Sequence, residues 1–239
     1  MTIGKKKPAF SIIVPVLKEE EGIRSLLRHL KDISAGESVE FIVVDADPAG
    51  STINKIRSGE AMKLLSPRGR GMQMNRGADA ARGDVLLFLH ADTFLPENAL
   101  GHIKNALTND TCVGGAFDLG IDSDRVLLRL TAWCASLKHR MTRVPYGDQA
   151  IFIRSDFFRD IGGYREVPLF EDVELMRRIK KLRKKITIIR HRTRTSPRKW
   201  EKEGALYTIV HNWTLQAFHL LGISPERLVK YYYGGKSDG

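Results

Sequence analysis

Residues 85–92 read VLLFLHAD, and this stretch decides the fold. Its first five residues are all apolar, which is typical of a short strand buried on both faces of a parallel sheet. The run stops at His90-Ala91-Asp92, so two side chains that bind metals or protons follow the strand directly. The stretch predicts a buried strand with polar chemistry at its carboxyl end.

Upstream of this strand, other apolar runs alternate with helical patterns. Apolar residues recur at helical spacing within Glu19–Ser34, which predicts an amphipathic helix. Three further apolar runs predict strands over Ala9–Val16, Val39–Asp45 and Met62–Leu65. This alternation through roughly the first 110 residues predicts parallel strands joined by helical crossovers.

The second half of the chain is less regular. Apolar runs predict strands over Val113–Leu119, Ala150–Ile153 and Ile186–Ile189. Helical spacing predicts helices over Arg125–Arg140, Glu171–Lys184 and Gly204–Leu221. Because no repeat, low-complexity tract or linker separates these elements, the sequence predicts one α/β domain.

Charge is concentrated in one segment. The chain has 239 residues and a formal net charge of +11, and residues 177–203 contain 13 basic and two acidic residues. The rest of the chain is therefore neutral, which excludes a protein that is basic over its whole surface. The candidate partners of the basic segment are phosphate groups, nucleic acid, an acidic membrane surface and water.

The remaining composition is that of an ordinary globular protein. The two cysteines, Cys112 and Cys134, are too few for a disulfide scaffold or a zinc site, and we expect both to lie reduced in the core. No stretch of 18 apolar residues occurs, and the first ten residues lack the apolar run of a secretory signal. We therefore expect a cytoplasmic protein.

The last predicted helix carries an apolar stripe. Its members are Leu206, Ile209, Val210, Trp213, Ala217, Leu220 and Leu221. Such a stripe usually packs in the core. The alternatives are a homodimer interface and a peripheral contact with the inner face of a membrane, since Lys199, Lys202 and the Tyr231-Tyr232-Tyr233 run lie nearby.

Acidic and histidine side chains follow several predicted strands. Glu19 and Asp45 come after the first two strands, and His90 and Asp92 follow residues 85–89. Because ligands of open α/β sheets bind beyond the carboxyl ends of the strands, we expect these side chains to share a site. Mg²⁺ and Mn²⁺ prefer carboxylate and phosphate oxygens, so the pattern indicates a divalent metal with a phosphate ligand. The alternative is that these strand ends are polar only because they meet water.

Several motifs along the chain resemble those of a known family. The first three are FSIIVPV at residues 10–16 with Glu19, FIVVD at 41–45, and LLFLHAD at 86–92. Further matches are GRG at 69–71 with QMN at 73–75, YGDQAIF at 146–152, GGY at 162–164, EDVEL at 171–175, and Ser196 with Arg198 and Trp200. Over about residues 9–204 the chain resembles the family-2 glycosyltransferases, and within them a bacterial branch with His-Ala-Asp in place of Asp-x-Asp.

The resemblance implies the GT-A fold, a single Rossmann-like α/β domain with a mostly parallel mixed sheet flanked by helices. Residues 9–204 would form this domain, with a nucleotide-binding half at 9–110 and an acceptor and catalytic half at 111–204. Residues 205–233 would form a C-terminal helical extension packed on it. The implied reaction moves a sugar from a nucleotide-diphosphate sugar, at family level a UDP-sugar, to an unidentified hydroxyl acceptor with inversion.

The resemblance also implies which residues bind the donor. Pro15, Glu19 and Asp45 match positions that contact the base and ribose. Arg68 and Arg70 fall in the loop that would reach the nucleotide or its phosphates.

The implied metal is Mn²⁺ or Mg²⁺ held on the diphosphate. Asp92 matches the acid that binds it, and His90 stands where the common motif has its first acid. Neutral imidazole binds Mn²⁺ or hydrogen-bonds a ribose hydroxyl, so the role of His90 is open. His191 is a further candidate for a metal contact, and a solvated histidine is the alternative.

The implied catalytic groups lie in the second half. Glu171 and Asp172 match the family's Glu-Asp pair, with Asp172 as the base that deprotonates the acceptor and Glu171 holding the acceptor. The alternative is that both merely form the acidic first turn of a helix, where the helix dipole favours acids. Asp148 and Gln149 match a stretch that lines the sugar and acceptor pocket.

The resemblance divides the basic segment in two. Arg177–Lys185 would continue the helix that begins at Glu171, with most side chains solvated. Arg190–Lys202 would follow a strand end and fold over the diphosphate, with Arg194 and Arg198 as candidate donor contacts.

Two other functions would explain fewer of these sequence features. A nucleotidyltransferase on a similar fold needs a glycine-rich basic loop after the first strand, and residues 15–19 read PVLKE instead. A non-catalytic nucleic-acid-binding protein would explain the basic segment but not the acids at strand ends. No aromatic residues are interleaved with the basic ones, as single-strand binding favours, so we expect no nucleic-acid partner.

Overall fold

The computed structural model describes residues 7–221, 223–224 and 227–229. Its strands are β1 Phe10–Val16, β2 Val39–Asp45, β3 Met62–Leu65, β4 Val85–Phe88, β5 Thr93–Phe94, β6 Cys112–Asp118, β7 Ile151–Arg154, β8 Lys185–Arg192 and β9 Arg194–Thr195. Its α-helices are α1 Ile23–Ile33, α2 Arg70–Ala80, α3 Ala99–Ala106, α4 Val126–Thr142, α5 Ser155–Asp160, α6 Glu171–Lys181, α7 Arg198–Glu203 and α8 Ala205–Leu220.

Seven strands form one twisted sheet in the order β3-β2-β1-β4-β7-β6-β8. All neighbouring pairs are parallel except those that include β7, which is antiparallel to β4 and β6. Strand β1 lies in the middle of the parallel part, and Ile12 pairs with Phe41 on one side and with Leu87 on the other. The predicted single α/β domain with a mostly parallel mixed sheet is confirmed.

Helices cover both faces of this sheet because successive side chains of a strand point to opposite faces. Ile12 and Val14 pack with α1 and α3 in one apolar cluster. Ile13, one position away, packs with α2, α5 and α6 in the other. The sheet is thus sealed on both sides, which leaves its carboxyl edge as the place for a ligand.

The first helix begins later than predicted. The sequence predicts it from Glu19, whereas α1 begins at Ile23. Residues 20–22 form a turn instead, and before it Lys18 has a left-handed φ of 56° and the N–H of Glu19 donates to Thr52 Oγ1 at 3.0 Å. Glu19 is therefore held at the end of β1 by the loop after β2.

Two boundaries in the basic segment also differ from the prediction. Helix α6 ends at Lys181 rather than Lys184, and Arg183 has a left-handed φ of 56°. Strand β8 continues to Arg192, so Arg190 and Arg192 belong to a strand and not to a loop. Arg178 is largely buried and donates to the carbonyls of Ile161 and Gly163, so its side chain belongs to the packed structure.

A small second sheet pairs β5 with β9 in antiparallel order. Thr93 Oγ1 lies 3.1 Å from Thr195 Oγ1, and the N–H of Ser196 donates to the carbonyl of Asp92 at 3.0 Å. This sheet ties residues 194–196 to the end of β4, although about 100 residues separate them in the chain. Sequence patterns do not predict it because each strand has only two residues.

Helices α4 and α8 pack against each other at the edge of the molecule. Helix α4 buries Leu128 and Ala132 among the described residues of its inner face, and α8 buries Thr208 and Leu215. The prediction that the stripe of the last helix packs in the core is wrong for five of its members, since Leu206, Val210, Trp213, Ala217 and Leu221 are exposed. The Tyr231-Tyr232-Tyr233 run lies outside the described residues, and the extent of the extension over 205–233 stays a prediction.

The structure also bears on the cysteines and on the question of a membrane-spanning helix. Cys112 is buried, Cys134 is half-buried, and neither forms a disulfide. Within the described residues, no helix has the length and apolar character needed to cross a bilayer.

Candidate active site

Four carboxylates come together beyond the carboxyl ends of the central strands. Asp92 follows β4, Asp148 lies in a single 3₁₀ turn before β7, and Glu171 and Asp172 begin α6. The charges of Asp92 and Asp172 both act on Asp148, and the charge of Asp172 also acts on Glu171. Three separate regions of the chain therefore build one acidic cluster.

Asp172 is fixed by the backbone of the 3₁₀ turn. The N–H of Gly147 donates to Asp172 Oδ2 at 2.7 Å, and the N–H of Val173 donates to Oδ1 at the same distance. A Cβ atom on residue 147 would lie 2.5 Å from His90 Nε2, so only glycine leaves room for the ring. The turn thus joins the end of β4 to the start of α6.

Burial raises the pKa values of three of these acids, and neighbouring carboxylates add to the effect in two of them. Burial, with the charges of Asp172 and Asp92, raises the pKa of Asp148 to about 7. Burial and the charge of Asp172 raise the pKa of Glu171 to about 7. Burial also raises the pKa of Asp172, although the N–H groups of Gly147 and Val173 oppose the shift. Such clusters are typical of sites that bind cations or move protons.

Arg70 supplies the opposing charge. It begins α2, and its charge lowers the pKa values of Asp148, Glu171 and Asp172 against the effect of burial. Gly71 makes this approach possible, because a Cβ there would lie 2.9 Å from the carbonyl oxygen of Arg165 and 3.7 Å from Glu171 Cβ. The start of α2 consequently meets the start of α6.

His90 is a neutral imidazole at this place. Burial, with the nearby charge of Arg70, lowers the pKa of His90 to about 3. A neutral ring keeps one nitrogen lone pair for a cation or a hydroxyl group.

One oxygen of the cluster fits a bound cation or donor. Asp148 Oδ1 is buried and has no hydrogen-bond partner among the described residues. No group of three His, Cys, Asp or Glu side chains in the described parts of the chain is arranged to hold a metal ion. Acids that repel one another and an orphaned carboxylate oxygen nevertheless fit a divalent cation that takes its other ligands from a phosphate group.

A second part of the site surrounds Glu19. Arg198 Nη2 lies 3.4 Å from Glu19 Oε2, and burial together with Asp92 raises the pKa of Glu19 against the effect of Arg198. The start of α7 therefore reaches the ends of β1 and β4. Arg68, also predicted to bind the donor, lies exposed in the turn before α2.

Asp45 organises the loop that follows β2. Its buried carboxylate accepts hydrogen bonds from the N–H groups of Asp47, Thr52 and Ile53 at 2.9 to 3.2 Å. Pro15 is buried in β1 opposite Val44.

Two glutamines connect strand ends through their amides. Gln73 Nε2 donates to the carbonyls of Val16 and Val44 at 2.9 and 2.8 Å. Gln149 is fully buried, its Nε2 donates to the carbonyl of Phe117 at 2.8 Å, and its Oε1 accepts from the N–H of Tyr146. The side-chain amide of Gln149 is therefore hydrogen-bonded to the backbone near the acidic cluster.

Two predicted residues lie apart from the acids. The ring of His191 stacks on His102 of α3, with centroids 3.7 Å apart. Arg194 pairs with Phe94 in the small sheet, and its charge acts on His29 of α1. Neither residue joins Asp92 and Asp148 in this structure.

Sequence reasoning missed Lys138 and Tyr146. Lys138 Nζ lies 5.0 Å from the centroid of the Tyr146 ring, and its charge interacts with that of Asp148. Tyr146 contacts His139, with ring centroids 5.0 Å apart, and Asp172 and Asp148 add to the effect of burial in raising its pKa. The signal for Lys138 was a single lysine within the apolar pattern of α4, which by itself favours a surface position.

Comparison with known proteins agrees with this fold. The model of the glycosyl transferase family 2 matches residues 11–164. Dolichol-phosphate mannosyltransferase of Mycosarcoma maydis is 27% identical over 133 residues, which are 49% of this chain and 45% of that protein. Its namesake from Pyrococcus furiosus is 26% identical over 118 residues, 46% of this chain and 34% of that protein. The chain thus matches less than half the length of these relatives.

Solved structures share the fold at low sequence identity. Glucosyl-3-phosphoglycerate synthase from Mycobacterium tuberculosis, in complex with Mg²⁺ and UDP, has a TM-score of 0.57 and 15% identity, covering 80% of this chain and 71% of that one. S. aureus TarS has a TM-score of 0.56 and 16% identity, covering 87% and 39%. Because the family model matches well over half of its residues, the chain belongs to glycosyl transferase family 2.

Proposed function

We propose that the protein is a metal-dependent inverting glycosyltransferase that moves a sugar from a nucleotide-diphosphate sugar to a hydroxyl acceptor. The observation that carries the proposal is the cluster of Asp92, Asp148, Glu171 and Asp172 around Arg70 at the carboxyl edge of the sheet. Family-2 membership supports the reaction class. The cluster supplies the two things that class needs, a cation site for a diphosphate and a carboxylate base.

The donor would lie along the ends of β1, β2 and β4. Glu19 and Asp45 stand at the ends of the first two strands, and Arg70 and Arg198 bring positive charge to the same edge. Arginines next to a departing diphosphate stabilise its growing negative charge. We infer a UDP-sugar, because the similar synthase from M. tuberculosis was crystallised with UDP and either Mg²⁺ or Mn²⁺.

The residues that would hold the metal are Asp92 and the orphaned oxygen of Asp148, with His90 as a neutral neighbour. When bound, Mg²⁺ or Mn²⁺ neutralises charge on the diphosphate and so improves the leaving group. In the absence of any cation, Asp92 and Asp148 repel each other, which is the electrostatic reason to expect one here.

Asp172 is the base that we propose for the acceptor hydroxyl. Its raised pKa makes it a better proton acceptor than an ordinary aspartate, and the N–H of Gly147 fixes its orientation. Inversion requires the base on the side of the sugar opposite the diphosphate. Glu171 and Tyr146 interact with this acid, and Lys138 interacts with its neighbour Asp148, so all three are candidate contacts for the acceptor.

The rival functions have weaker support. A nucleotidyltransferase leaves the Glu171-Asp172 pair without a role. A nucleic-acid-binding protein leaves the whole acidic cluster unexplained, since carboxylates repel phosphates. Cytoplasmic localisation stays a prediction.

Thermal unfolding with nucleotides tests the donor site. UDP with Mn²⁺ should raise the melting temperature more than UDP alone or Mn²⁺ alone, because a ligand that binds only the folded state stabilises it. Asp92→Asn should remove the metal-dependent part of the shift and Asp79→Asn, an exposed acid of α2, should not. If no nucleoside diphosphate changes the melting temperature, with or without metal, the donor site is refuted. Release of UDP or GDP from a panel of nucleotide sugars then identifies the donor.

A further inference from the structure

Helices α4 and α8 expose two apolar stripes with identical spacing. The stripe on α4 consists of Val126, Leu130, Trp133, Leu137 and Met141. The stripe on α8 and the residue after it consists of Leu206, Val210, Trp213, Ala217 and Leu221. We call these ten residues the α4–α8 face. Its side chains are accessible, with Val126 77%, Trp133 51%, Trp213 64% and Met141 79% exposed.

This face is not needed to attach the helices to the domain. The inner side of α4 holds Leu128 and Ala132, and Ser136 Oγ accepts from the N–H of Leu119 at 3.0 Å. Arg140 of α4 also forms an ion pair with the buried Asp118. When a protein exposes more apolar surface than its folding requires, that surface is a contact site for another molecule.

The charge pattern around the face favours a lipid surface. Residues 125–147 and 204–224 contain no Asp or Glu at all. Met141, at the end of the α4 stripe, lines a cleft of about 350 Å³ whose other lining residues include Arg143, Lys180, Arg183, Lys184 and Lys185. We call this the basic cleft. No carboxylate lines it.

We propose that the α4–α8 face docks the protein on an anionic lipid bilayer, with the basic cleft binding lipid headgroup phosphates. Apolar side chains and tryptophans enter the headgroup boundary, and flanking cations meet the negative surface, which is how surface helices bind membranes. A second copy of the chain is a poorer partner, because its basic cleft would add five more cations to an interface that has no acids of its own.

Docking would connect the bilayer with the candidate active site. Leu137 belongs to the exposed stripe, and the next residue, Lys138, lies over the ring of Tyr146 beside Asp148. Helix α4 therefore carries the lipid-facing stripe on one side and, on another side, Lys138 next to the acidic cluster. An acceptor that resides in the membrane would reach the cluster along α4. The docking itself does not depend on the proposed transferase activity.

Sedimentation with vesicles tests the proposal on the full chain. The protein should pellet with vesicles of phosphatidylcholine mixed with phosphatidylglycerol, and much less with phosphatidylcholine alone. Trp133→Glu with Trp213→Glu should lower the partition coefficient by roughly tenfold or more, because both side chains leave the apolar layer. Lys180→Gln with Arg183→Gln and Lys184→Gln should lower it on the order of 100-fold on the anionic vesicles only.

Matched variants separate docking from general damage. Leu65→Glu places a charge on another exposed apolar residue, and Lys31→Gln with Lys55→Gln and Arg57→Gln removes three exposed cations outside the cleft. Both should bind vesicles like the wild type. Equal melting temperatures, and equal shifts with UDP and Mn²⁺, show that the docking variants are folded whether or not transfer activity is found.

Two results would overturn the proposal. One is vesicle binding that is equally strong in the docking variants and their controls. The other is a dimer by light scattering that Trp133→Glu with Trp213→Glu converts to a monomer, together with no vesicle binding by the wild type. The second result would assign the face to a copy of the chain.

Discussion

The N–H of Gly147 donates a hydrogen bond to Asp172 Oδ2 at 2.7 Å, and this contact joins two halves of the candidate active site. Gly147 also lies against the ring of His90, where any side chain would collide with Nε2. One glycine thus sets the position of the histidine after β4 and of the acid that begins α6. The proposed base and the proposed metal site depend on the same turn.

Asp172→Asn tests the proposed base. The amide oxygen still accepts from Gly147, but the amide NH₂ then faces the N–H of Val173, so the variant should lose about 1–3 kcal/mol of stability and keep its donor binding. Transfer should fall by about 10²–10⁴-fold because the amide does not accept the proton. Once a donor is identified, single-turnover transfer and the UDP-dependent melting shift measure the two effects. Asp79→Asn is the control. Transfer at the wild-type rate by Asp172→Asn would show that another group is the base.

Gly147→Ala tests the shared turn. The added Cβ would lie 2.5 Å from His90 Nε2, so the ring or the turn must move, at a cost of about 1–3 kcal/mol in the free energy of unfolding. Urea denaturation measures this cost. Gly22→Ala is the matched control, because nothing lies within 4 Å of a Cβ there and its φ of −88° suits alanine. Equal stability of the two variants would contradict the predicted contact.

Glu171→Gln tests the pH dependence of stability. The folded pKa of Glu171 is about 7 against an ordinary 4.5, so the folded state holds this proton more tightly than the unfolded state. The stabilisation is present below the unfolded value and is lost as pH rises through 7, by about 1–3 kcal/mol for a buried carboxyl. The variant should therefore lose less stability than the wild type between pH 5 and pH 8, as urea midpoints would show.

One outcome would contradict this prediction. If the urea midpoint of Glu171→Gln depended on pH between pH 5 and pH 8 as that of the wild type does, Glu171 would not hold a proton in the folded state at neutral pH.

Asp45→Asn tests the loop after β2. Asparagine offers one oxygen and an NH₂ group where the backbone presents three N–H donors, so at least one buried donor loses its partner at a cost of about 1–3 kcal/mol. Affinity for UDP should fall with stability if this loop holds the nucleoside. Asp47→Asn, in the exposed part of the same loop, is the control and should leave both quantities near wild type. Loss of stability with unchanged UDP affinity would separate Asp45 from the donor site.

The sequence predicted a strand or helix correctly where that element has an apolar run or a helical spacing of its own. The apolar runs before Asp45 and Asp92 are long enough to identify strands β2 and β4, and helical spacing identified α1, α4, α6 and α8. The start of α1 was placed too early because residues 20–22 form a turn and the N–H of Glu19 is bonded to Thr52 of the next loop, a contact that the local pattern does not show. Strands β5 and β9 were missed because a pair of two-residue strands is defined by its partner and not by its composition.

Only some residues of the candidate site could be predicted from the sequence pattern. Glu19, Asp45, His90 and Asp92 follow strands, so their common edge is a property of parallel topology. Asp148 and Asp172 were predicted to belong to the same site only from the family resemblance. The role of Lys138 is visible only when α4 is packed beside Tyr146. Periodicity also assigned the stripe of α8 to the core, because it measures how apolar a face is and not what covers it.

The sequence by itself determined the alternation of strands and helices, the polar residues that end the strands, and the confinement of positive charge to residues 177–203. These features reside in neighbouring residues, so they can be read one segment at a time. Only the tertiary structure decided that four carboxylates share one site, that part of the basic segment lines a cleft at Met141, and that α4 and α8 turn apolar faces outward. Burial, mutual repulsion and exposure are properties of groups brought together from distant parts of the chain, and they exist only once the sheet has formed.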